Sequence, residues 1–269
     1  MTIEKIAEQI SHWHAERDGL LCVGISGSQG SGKTTLTRAL VKVLSEQYGL
    51  SVVQFSLDDL YKTKAQRQQM AQDVHPLFAT RTLPGTHDLE LGAHVFQSLK
   101  AGQPTAIPCF DKAIDDRTAE ETWEVVETQP DIVLFEGWCV GATALPEASL
   151  KKPINDFEAQ HDPDALWRTA INQYLKQDYP ALWSVLDKLI FIQIPSFESV
   201  FQWRKRQESE TFANTPENAM TDEEIREFIG QAERITTHNM TQLPSTADMT
   251  IQIDDLHRIT HLTHKSSQS

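Results

Sequence analysis

The sequence is poor in cysteine, in long apolar runs and in positive charge. Its three cysteines, Cys22, Cys109 and Cys139, stand far apart and form no C-x-x-C pair, which predicts reduced thiols rather than disulfides or a zinc site. The longest apolar run, Leu20–Ile25, is far shorter than the roughly 20 residues that span a bilayer. The first ten residues contain acids where a signal peptide has its apolar segment. We therefore expect a cytoplasmic protein.

Positive charge is scarce because 24 Lys and Arg stand against 38 Asp and Glu, which leaves a formal net charge of −14 over 269 residues. Nonspecific binding to nucleic acid or to a membrane surface requires a positive surface, so neither is expected as a partner. The length is sufficient for one large domain with its own core. The composition fixes no oligomeric state and is compatible with a monomer.

Five short apolar runs, each bounded by turn residues or charges, indicate the fold class. Runs of this kind are typical of buried strands; they are Leu20–Ile25, Val52–Ser56, Ile132–Phe135, Leu189–Ile194 and Met249–Ile253. Between them lie helical patterns, such as Leu36, Leu40 and Leu44 before Gly49, a residue type favoured just after a helix. Alternating strands and helices predict an α/β fold with a mostly parallel sheet and helices on both faces.

The clearest chemical feature is a glycine-rich motif of the form G-x-x-x-x-G-K-[ST] between a strand pattern and a helix pattern. Its residues are Gly27, Ser28, Gln29, Gly30, Ser31, Gly32, Lys33 and Thr34. Such a loop turns backbone N–H groups toward phosphate oxygens, and the following helix adds its dipole. Lys33 would serve the β- and γ-phosphates, Thr34 would ligate Mg²⁺ and Thr35 could bond the α-phosphate. A glycine-rich turn with a surface lysine is the alternative, which the flanking strand and helix disfavour.

The chain contains no N-K-x-D and no D-x-x-G motif, which disfavours a GTPase. A motor or helicase ATPase usually has a longer chain, so a small-molecule kinase is favoured. Ligands bind outside the carboxyl ends of parallel strands. There, Asp58 could orient the acceptor hydroxyl, with a helix N-cap as its alternative role and Asp59 as the other candidate. Glu136, at a strand tip, could hold Mg²⁺ or bind substrate, or be a surface acid. Arg204 and Arg206 could close over the triphosphate, or form a solvated helix face.

These residues lie in a recognisable order. The segments GISGSQGSGKTT, SLDDLY, PGTHDLEL, PCFDK, LFEGW and WRKRQ resemble the phosphoribulokinase/uridine kinase superfamily. Within it they resemble the D-glycerate 3-kinase group of plants and cyanobacteria and its uncharacterised bacterial and yeast relatives. The resemblance runs from about residue 23 to residue 259 and implies a P-loop fold with a five-stranded parallel sheet, flanking helices and a lid.

The resemblance also implies residue roles. Asp58 falls on the catalytic aspartate, Glu136 on the Mg²⁺- or substrate-linked carboxylate, and Arg204 and Arg206 on the lid. The acceptor-binding region would comprise Tyr61, His87, Asp88, Asp111, Lys112, Asp116 and Arg117. One segment departs from the plant enzymes, because residues 113–115, Ala-Ile-Asp, stand where those enzymes have a glycine-rich stretch.

We expect a single domain over residues 1–269. It would have an N-terminal helix in 1–18, an acceptor-site insertion in 63–108, a peripheral helical insertion in 142–187, and a lid with its following helix in 203–230. Residues 247–259 are a candidate lining of the base pocket, and Cys139 is expected to serve packing.

The expected function is transfer of the γ-phosphoryl group of ATP, with Mg²⁺, to a hydroxyl of a small metabolite, with D-glycerate as the first candidate. An acidic acceptor would need a cation for its carboxylate, and the available ones are Lys62, Arg81, Lys112 and Arg117. A nucleoside would need an aromatic wall, for which core packing is favoured at the three candidates Phe110, Trp123 and Trp138. Pantothenate, a nucleoside or a sugar phosphate as acceptor, and a non-catalytic nucleotide-binding regulator, are the alternatives.

Overall fold

The computed structural model describes residues 2–213 and 219–265. The helices are α1 (Ile3–Ala15), α2 (Lys33–Tyr48), α3 (Lys64–Asp73), α4 (Leu89–Lys100), α5 (Asp156–His161), α6 (Leu166–Gln177), α7 (Tyr179–Trp183), α8 (Phe197–Thr211) and α9 (Asp222–Thr246). The strands are β1 (Leu21–Gly27), β2 (Val52–Ser56), β3 (Thr105–Ile107), β4 (Phe110–Asp111), β5 (Asp116–Arg117), β6 (Glu124–Val126), β7 (Ile132–Gly137), β8 (Lys188–Gln193), β9 (Met249–Ile253) and β10 (Ile259–His264). No helix within these two ranges is both long and apolar enough to cross a bilayer.

Six strands form the central sheet in the spatial order β10–β9–β8–β1–β7–β2. The five strands from β9 to β2 are parallel and contain the five apolar runs, so the predicted α/β class with a mostly parallel sheet is confirmed. β10 is an additional strand that pairs antiparallel with β9. Its residues are half-buried or exposed at the sheet edge, and it therefore lacks the apolar run that marks the others.

Helices cover both faces of the sheet. Because successive strand residues point to opposite faces, β1 contributes to two clusters of buried side chains. Leu21, Val23 and Ile25 pack with residues of α1 and α2, whereas Cys22 packs in the cluster that includes Tyr179 of α7. All seven residues of β1 are buried, which explains its continuous apolar run.

The segments outside the minimal alternation are helical. Residues 63–108 contain α3 and α4, and residues 142–187 contain α5, α6 and α7. In the second segment Trp167 and Tyr179 are fully buried, with 1% and 0% of their surfaces exposed. The sequence predicts a peripheral insertion here. The structure shows instead that this segment contributes side chains to the core.

A buried ion pair ties residues 142–187 to α9. The Arg234 guanidinium donates to both carboxylate oxygens of Glu158, at 2.7 and 2.5 Å. It also donates to the carbonyl oxygens of Ser149 and Lys152, at 2.8 and 2.9 Å. Both side chains of the pair are less than a tenth exposed, so removing either one would leave a charge buried without its partner.

We expect Arg234→Met to lower the free energy of unfolding by about 3–5 kcal/mol, because Glu158 would remain charged and unpaired in the core. The double variant Arg234→Met/Glu158→Leu should be more stable than the single variant, since it leaves no isolated charge. Urea denaturation of the two variants measures both effects. A single variant as stable as the wild type would contradict the importance of this pair.

Candidate active site

The glycine-rich motif connects β1 to α2 in a tight turn. Gly30 and Gly32 have φ angles of 75° and 85°, the left-handed region that favours glycine. A Cβ atom on Gly27 would meet Ser31 Oγ at 2.8 Å, so this position tolerates no side chain. Lys33 donates from Nζ to the Ser28 carbonyl oxygen at 2.9 Å. Burial lowers the pKa of Lys33, while Glu136 and Asp58 act in the opposite direction.

The residues of this loop fit a polyphosphate. Ser31 Oγ, a hydroxyl that can donate to a phosphate oxygen, is buried and has no hydrogen-bond partner within the described residues. The loop precedes the N-terminus of α2, where unpaired backbone N–H groups and the helix dipole favour an anion. Glycine backbone, a lysine and the free hydroxyl group of Ser31 thus surround one concave site.

Glu136 reaches this loop from the neighbouring strand. In the parallel register of β1 with β7, Ile25 lies opposite Glu136, so the carboxylate emerges beside the start of the motif. Thr34 Oγ1 donates to Glu136 Oε1 at 2.7 Å across 102 residues of sequence. A hydroxyl and one carboxylate fit Mg²⁺, which usually binds through one or two carboxylates together with water and phosphate oxygens. Clusters of three or more acidic, His or Cys ligands are absent from the described residues.

Asp58 lies at the carboxyl end of the next strand, β2, in a short 3₁₀ helix, Leu57–Leu60. Its Oδ1 accepts from the Tyr61 hydroxyl at 3.0 Å, and its Oδ2 accepts from Lys112 Nζ at 2.7 Å. Burial alone would raise the pKa of Asp58, but Lys112, with smaller contributions from His87 and Lys33, holds it below its usual value. The carboxylate therefore stays ionised at neutral pH.

The neighbouring Asp59 has a structural role. Its Oδ2 accepts from the Ser56 backbone N–H at 2.9 Å, and its Oδ1 faces the Phe110 backbone N–H at 3.4 Å. Ser56 Oγ in turn accepts from the Asp58 backbone N–H, which completes a capping box. Burial raises the pKa of Asp59 to about 6. Ser56 and Asp59 thus cap this helix, and the Asp58 side chain is free of that task.

The motif, Glu136 and Asp58 share one cavity of about 1160 Å³. Among the residues predicted for the site, this cavity is lined by Gln29, Gly30, Ser31, Gly32, Lys33, Thr34, Thr35, Asp58, Tyr61, Lys112, Glu136, Arg204 and Arg206. The cavity combines a phosphate loop, a carboxylate at each of two strand ends, and cations on both sides. This combination can bring a nucleotide and a hydroxyl acceptor together.

Comparison with known proteins identifies the family. The family model described as "Phosphoribulokinase / Uridine kinase family" matches residues 22–142. "Uncharacterized kinase mug58" of Schizosaccharomyces pombe is 34% identical over 217 residues, which are 77% of this chain and 76% of that protein. The chain belongs to the phosphoribulokinase/uridine kinase family.

Two D-glycerate 3-kinases are similar to this kinase. The chloroplastic enzyme of Arabidopsis thaliana is 30% identical over 222 residues, which are 78% of this chain but 46% of the plant protein. The kinase therefore spans less than half the length of that enzyme. The solved structure of D-glycerate 3-kinase from Cryptococcus neoformans aligns with a TM-score of 0.77 and 26% identity, and the alignment covers 96% of this chain and 99% of the fungal one.

Five residues predicted for acceptor binding lie outside the cavity lining in the described part of the kinase, namely His87, Asp88, Asp111, Asp116 and Arg117. Asp88 caps α4 by accepting from the Leu91 backbone N–H, and its other oxygen pairs with Arg117 Nη2 at 3.1 Å. Asp111 accepts from the Ala113 backbone N–H at 2.8 Å. Asp88, Asp111 and Arg117 thus hold the loops around the site.

His87 is buried behind Tyr61, with the two rings stacked 4.7 Å apart. Its Nδ1 lies 2.5 Å from the Tyr179 hydroxyl, which also accepts from the Gly85 backbone N–H at 2.9 Å. No other acceptor for the Tyr179 hydroxyl hydrogen exists among the described residues, so we assign that hydrogen to a bond with His87 Nδ1. Since a neutral imidazole donates from one nitrogen only, the proton of His87 lies on Nε2.

The protonation state of His87 follows from its surroundings. Burial lowers the pKa of His87 to about 3, so the ring is neutral at physiological pH. Its Nε2 is buried and has no hydrogen-bond partner within the described residues. With the tautomer assigned above, Nε2 is an unused N–H donor directly behind Tyr61. The sequence offered no indication of this arrangement, because Tyr179 is separated from His87 by 92 residues.

The predicted lid arginines lie on α8 at the far side of the cavity. Arg204 Nη2 pairs with Glu208 at 2.5 Å, and its guanidinium carbon is 4.9 Å from the centroid of the Phe228 ring. Arg206 lines the same cavity. The predicted segment 203–230 includes residues 214–218, which lie outside the described residues.

Residues 247–259 were predicted from the sequence as a candidate lining, but His257, which lies in the turn between β9 and β10, was not singled out. Its Nε2 is 2.6 Å from the Gly30 carbonyl oxygen, and its ring lies 4.3 Å from that of Trp203. Trp203 in turn donates from Nε1 to the Asp255 carbonyl oxygen at 2.8 Å. Within the candidate segment 247–259, the residues that line the cavity are Ile251, Ile253, His257 and Ile259. A polar turn gives no periodic pattern from which such a contact could be read.

We expect His87 to populate both of its neutral tautomers in Tyr179→Phe, because the variant lacks the hydroxyl that donates to Nδ1. In ¹⁵N–¹H NMR spectra, His87 of the wild type should show protonation at Nε2 alone, whereas the variant should show both tautomers. Tyr174→Phe is the matched control, because a Cβ on Gly85 would meet the Tyr174 ring at 2.5 Å and this residue thus packs against the same turn. An unchanged tautomer in Tyr179→Phe would refute the assignment.

Proposed function

We propose that the kinase transfers the γ-phosphoryl group of ATP to a hydroxyl of a small metabolite, with D-glycerate as acceptor and 3-phosphoglycerate as product. One observation carries this proposal: Asp58 is ionised, relieved of helix capping by Ser56 and Asp59, and lines the same cavity as the phosphate loop. The similarity to two D-glycerate 3-kinases supports the choice of acceptor.

In this proposal Asp58 accepts a hydrogen bond from the acceptor hydroxyl and aligns its oxygen with the γ-phosphorus. Tyr61 and Lys112 fix the two carboxylate oxygens, so that the aspartate is held in one orientation before the acceptor binds. Phosphoryl transfer depends mainly on positioning and on stabilisation of charge. A carboxylate of low pKa is therefore adequate, because it needs to orient the hydroxyl more than to remove its proton early.

The phosphate end of the cavity would be served by the loop residues. Lys33 would contact the β- and γ-phosphates, and Arg204 and Arg206 would approach the transferring group from α8. Thr34 and Glu136 would hold Mg²⁺, which when bound neutralises charge on the β- and γ-oxygens. The apolar end of the cavity, which includes Ile251 and Ile253, supports a base site there.

The acceptor is tested by following ADP release from Mg·ATP with D-glycerate, pantothenate, uridine, ribulose 5-phosphate and glycerol. We expect D-glycerate to stimulate release more than the other compounds do, and mass spectrometry to identify 3-phosphoglycerate. Stimulation by uridine or pantothenate alone would reject D-glycerate while keeping the kinase reaction. Release that no acceptor changes would favour the nucleotide-binding regulator.

We expect Asp58→Asn to lower turnover by about 10²–10⁴-fold, since the variant loses the group that accepts the acceptor's proton. Its dissociation constant for ATP should stay close to that of the wild type, because Asp58 lies beyond the phosphate loop. Steady-state kinetics and a nucleotide titration measure the two quantities.

Asp59→Asn is the matched control for this test. This variant should have lower thermal stability, because one of the two backbone N–H groups that donate to the Asp59 carboxylate would lose its acceptor. It should retain most of the turnover. Comparable loss of turnover in both variants, or normal turnover in Asp58→Asn, would remove Asp58 from the proposed role.

A further inference from the structure

Two arginines share one carboxylate beside the cavity. Asp115 pairs with Arg81 through Oδ1 and with Arg67 Nη2 through Oδ2, at 3.0 Å in the second case. Arg67 is fully buried and also donates to the carbonyl oxygens of Lys62 and Ala79. Two guanidinium groups and one carboxylate leave this cluster with one uncompensated positive charge.

The backbone of Asp115 has a conformation that few residue types adopt. Its φ angle is 55°, in the left-handed region that costs most L-residues about 1–2 kcal/mol and that only glycine, asparagine and aspartate visit routinely. A glycine would adopt this φ without strain and would keep the backbone carbonyl oxygen that accepts from Arg67 Nη2 at 2.6 Å, but it would lack the carboxylate that pairs with Arg81 and Arg67.

Arg81 presents the charge of this cluster to the cavity. It lines the cavity together with Asp58, Tyr61 and Lys112, whereas Arg67 has no exposed surface. The guanidinium carbon of Arg81 lies 5.8 Å from the centroid of the Phe110 ring, and this contact restricts the movement of the Arg81 side chain. Within the described residues Arg81 donates to Asp115 from Nη1 alone, so Nε and Nη2 remain available to a ligand.

The other cations that the sequence analysis considered for an acidic acceptor are less available to bind it than Arg81 is. Lys112 lines the cavity, but its ammonium group neutralises Asp58 at 2.7 Å. Arg117 is paired with Asp88, and neither Arg117 nor Lys62 belongs to the described lining of the cavity. Arg81 is thus the cation at the acceptor end whose planar donors are still free, a geometry that suits the two oxygens of a carboxylate or phosphate.

We propose that Arg81 binds an anionic group of the phosphoryl acceptor and that Asp115 is the positioning residue that holds Arg81 at the cavity. The inference rests on the proposed kinase function and narrows its acceptor to a small hydroxylated anion. The anionic group is either the carboxylate of a hydroxy acid or a phosphate monoester. Neutral alcohols and nucleosides lack the group that Arg81 recognises.

Kinetics of Arg81→Gln test the role of the guanidinium. We expect its KM for D-glycerate to rise at least about tenfold, because a charge-assisted hydrogen bond is lost, while its KM for ATP stays within about twofold of the wild type. Any turnover of glyceramide, the neutral analogue, should be equal in both proteins. Glycerol 3-phosphate in the same assay separates a phosphate site from a carboxylate site. Arg38→Gln, an exposed arginine on α2, is the control.

Asp115→Asn tests the positioning role, because asparagine tolerates the left-handed backbone but cannot neutralise two guanidinium groups. We expect a rise in KM for the anionic acceptor with kcat nearly unchanged, and a smaller effect than that of Arg81→Gln. A purely structural role would instead lower the apparent kcat and the melting temperature and leave the KM values unchanged. An unchanged KM for the anionic acceptor in Arg81→Gln, or equal KM values of the wild type for D-glycerate and glyceramide, would overturn the inference.

Failure of the kinase proposal can be told apart from failure of this inference. Trp138, one of six tryptophans, lines the same cavity and donates to the Thr82 carbonyl oxygen at 2.8 Å. Fluorescence quenching that Trp138→Phe abolishes therefore reports on binding next to Arg81 without any turnover. Should the wild type phosphorylate none of the acceptors, titration with D-glycerate and with inorganic phosphate decides. Quenching in the wild type that is lost in Arg81→Gln supports the anion site. Absent quenching, or equal quenching in both proteins, overturns it.

Discussion

The site depends on the parallel pairing of β1 with its neighbour β7, and the hydrogen bond from Thr34 to Glu136 at 2.7 Å is its most direct expression. Parallel strands deliver their carboxyl ends to one edge of a sheet. This edge therefore receives the phosphate loop from β1, Glu136 from β7 and Asp58 from β2. A shift of one residue in the register of β7 would turn Glu136 to the other face of the sheet, and the contact would be lost.

The charges at this edge are held by individual partners. Asp58 is balanced by Lys112, Asp115 by two arginines, and Arg204 by Glu208. A formal charge of −14 for the whole chain is thus compatible with a cavity rich in cations, because charged groups interact strongly only where burial reduces screening. In our proposal a polyanionic nucleotide and a small anion occupy this cavity together.

The features of the fold and site that could be predicted from the sequence are those that a local residue pattern encodes. Five apolar runs predicted the parallel strands, and the motif around Lys33 predicted a phosphate loop that the strand order places beside Glu136 and Asp58. The edge strand β10 escaped prediction because half-exposed residues carry no apolar run. Contacts between segments far apart in the chain, such as His87 with Tyr179 and Gly30 with His257, escaped because no spacing encodes them. Asp88 was expected at the acceptor but caps α4, a role that aspartate also favours.

The most direct measurement is a crystal structure of the kinase with a non-hydrolysable ATP analogue, Mg²⁺ and D-glycerate. The proposal requires the phosphates in the loop around Lys33 and the 3-hydroxyl oxygen of D-glycerate within hydrogen-bond distance of Asp58, in line with the γ-phosphorus. It also requires the carboxylate of D-glycerate on Arg81. A bound acceptor that lies away from Asp58, with its hydroxyl oriented by another residue, would contradict the central claim.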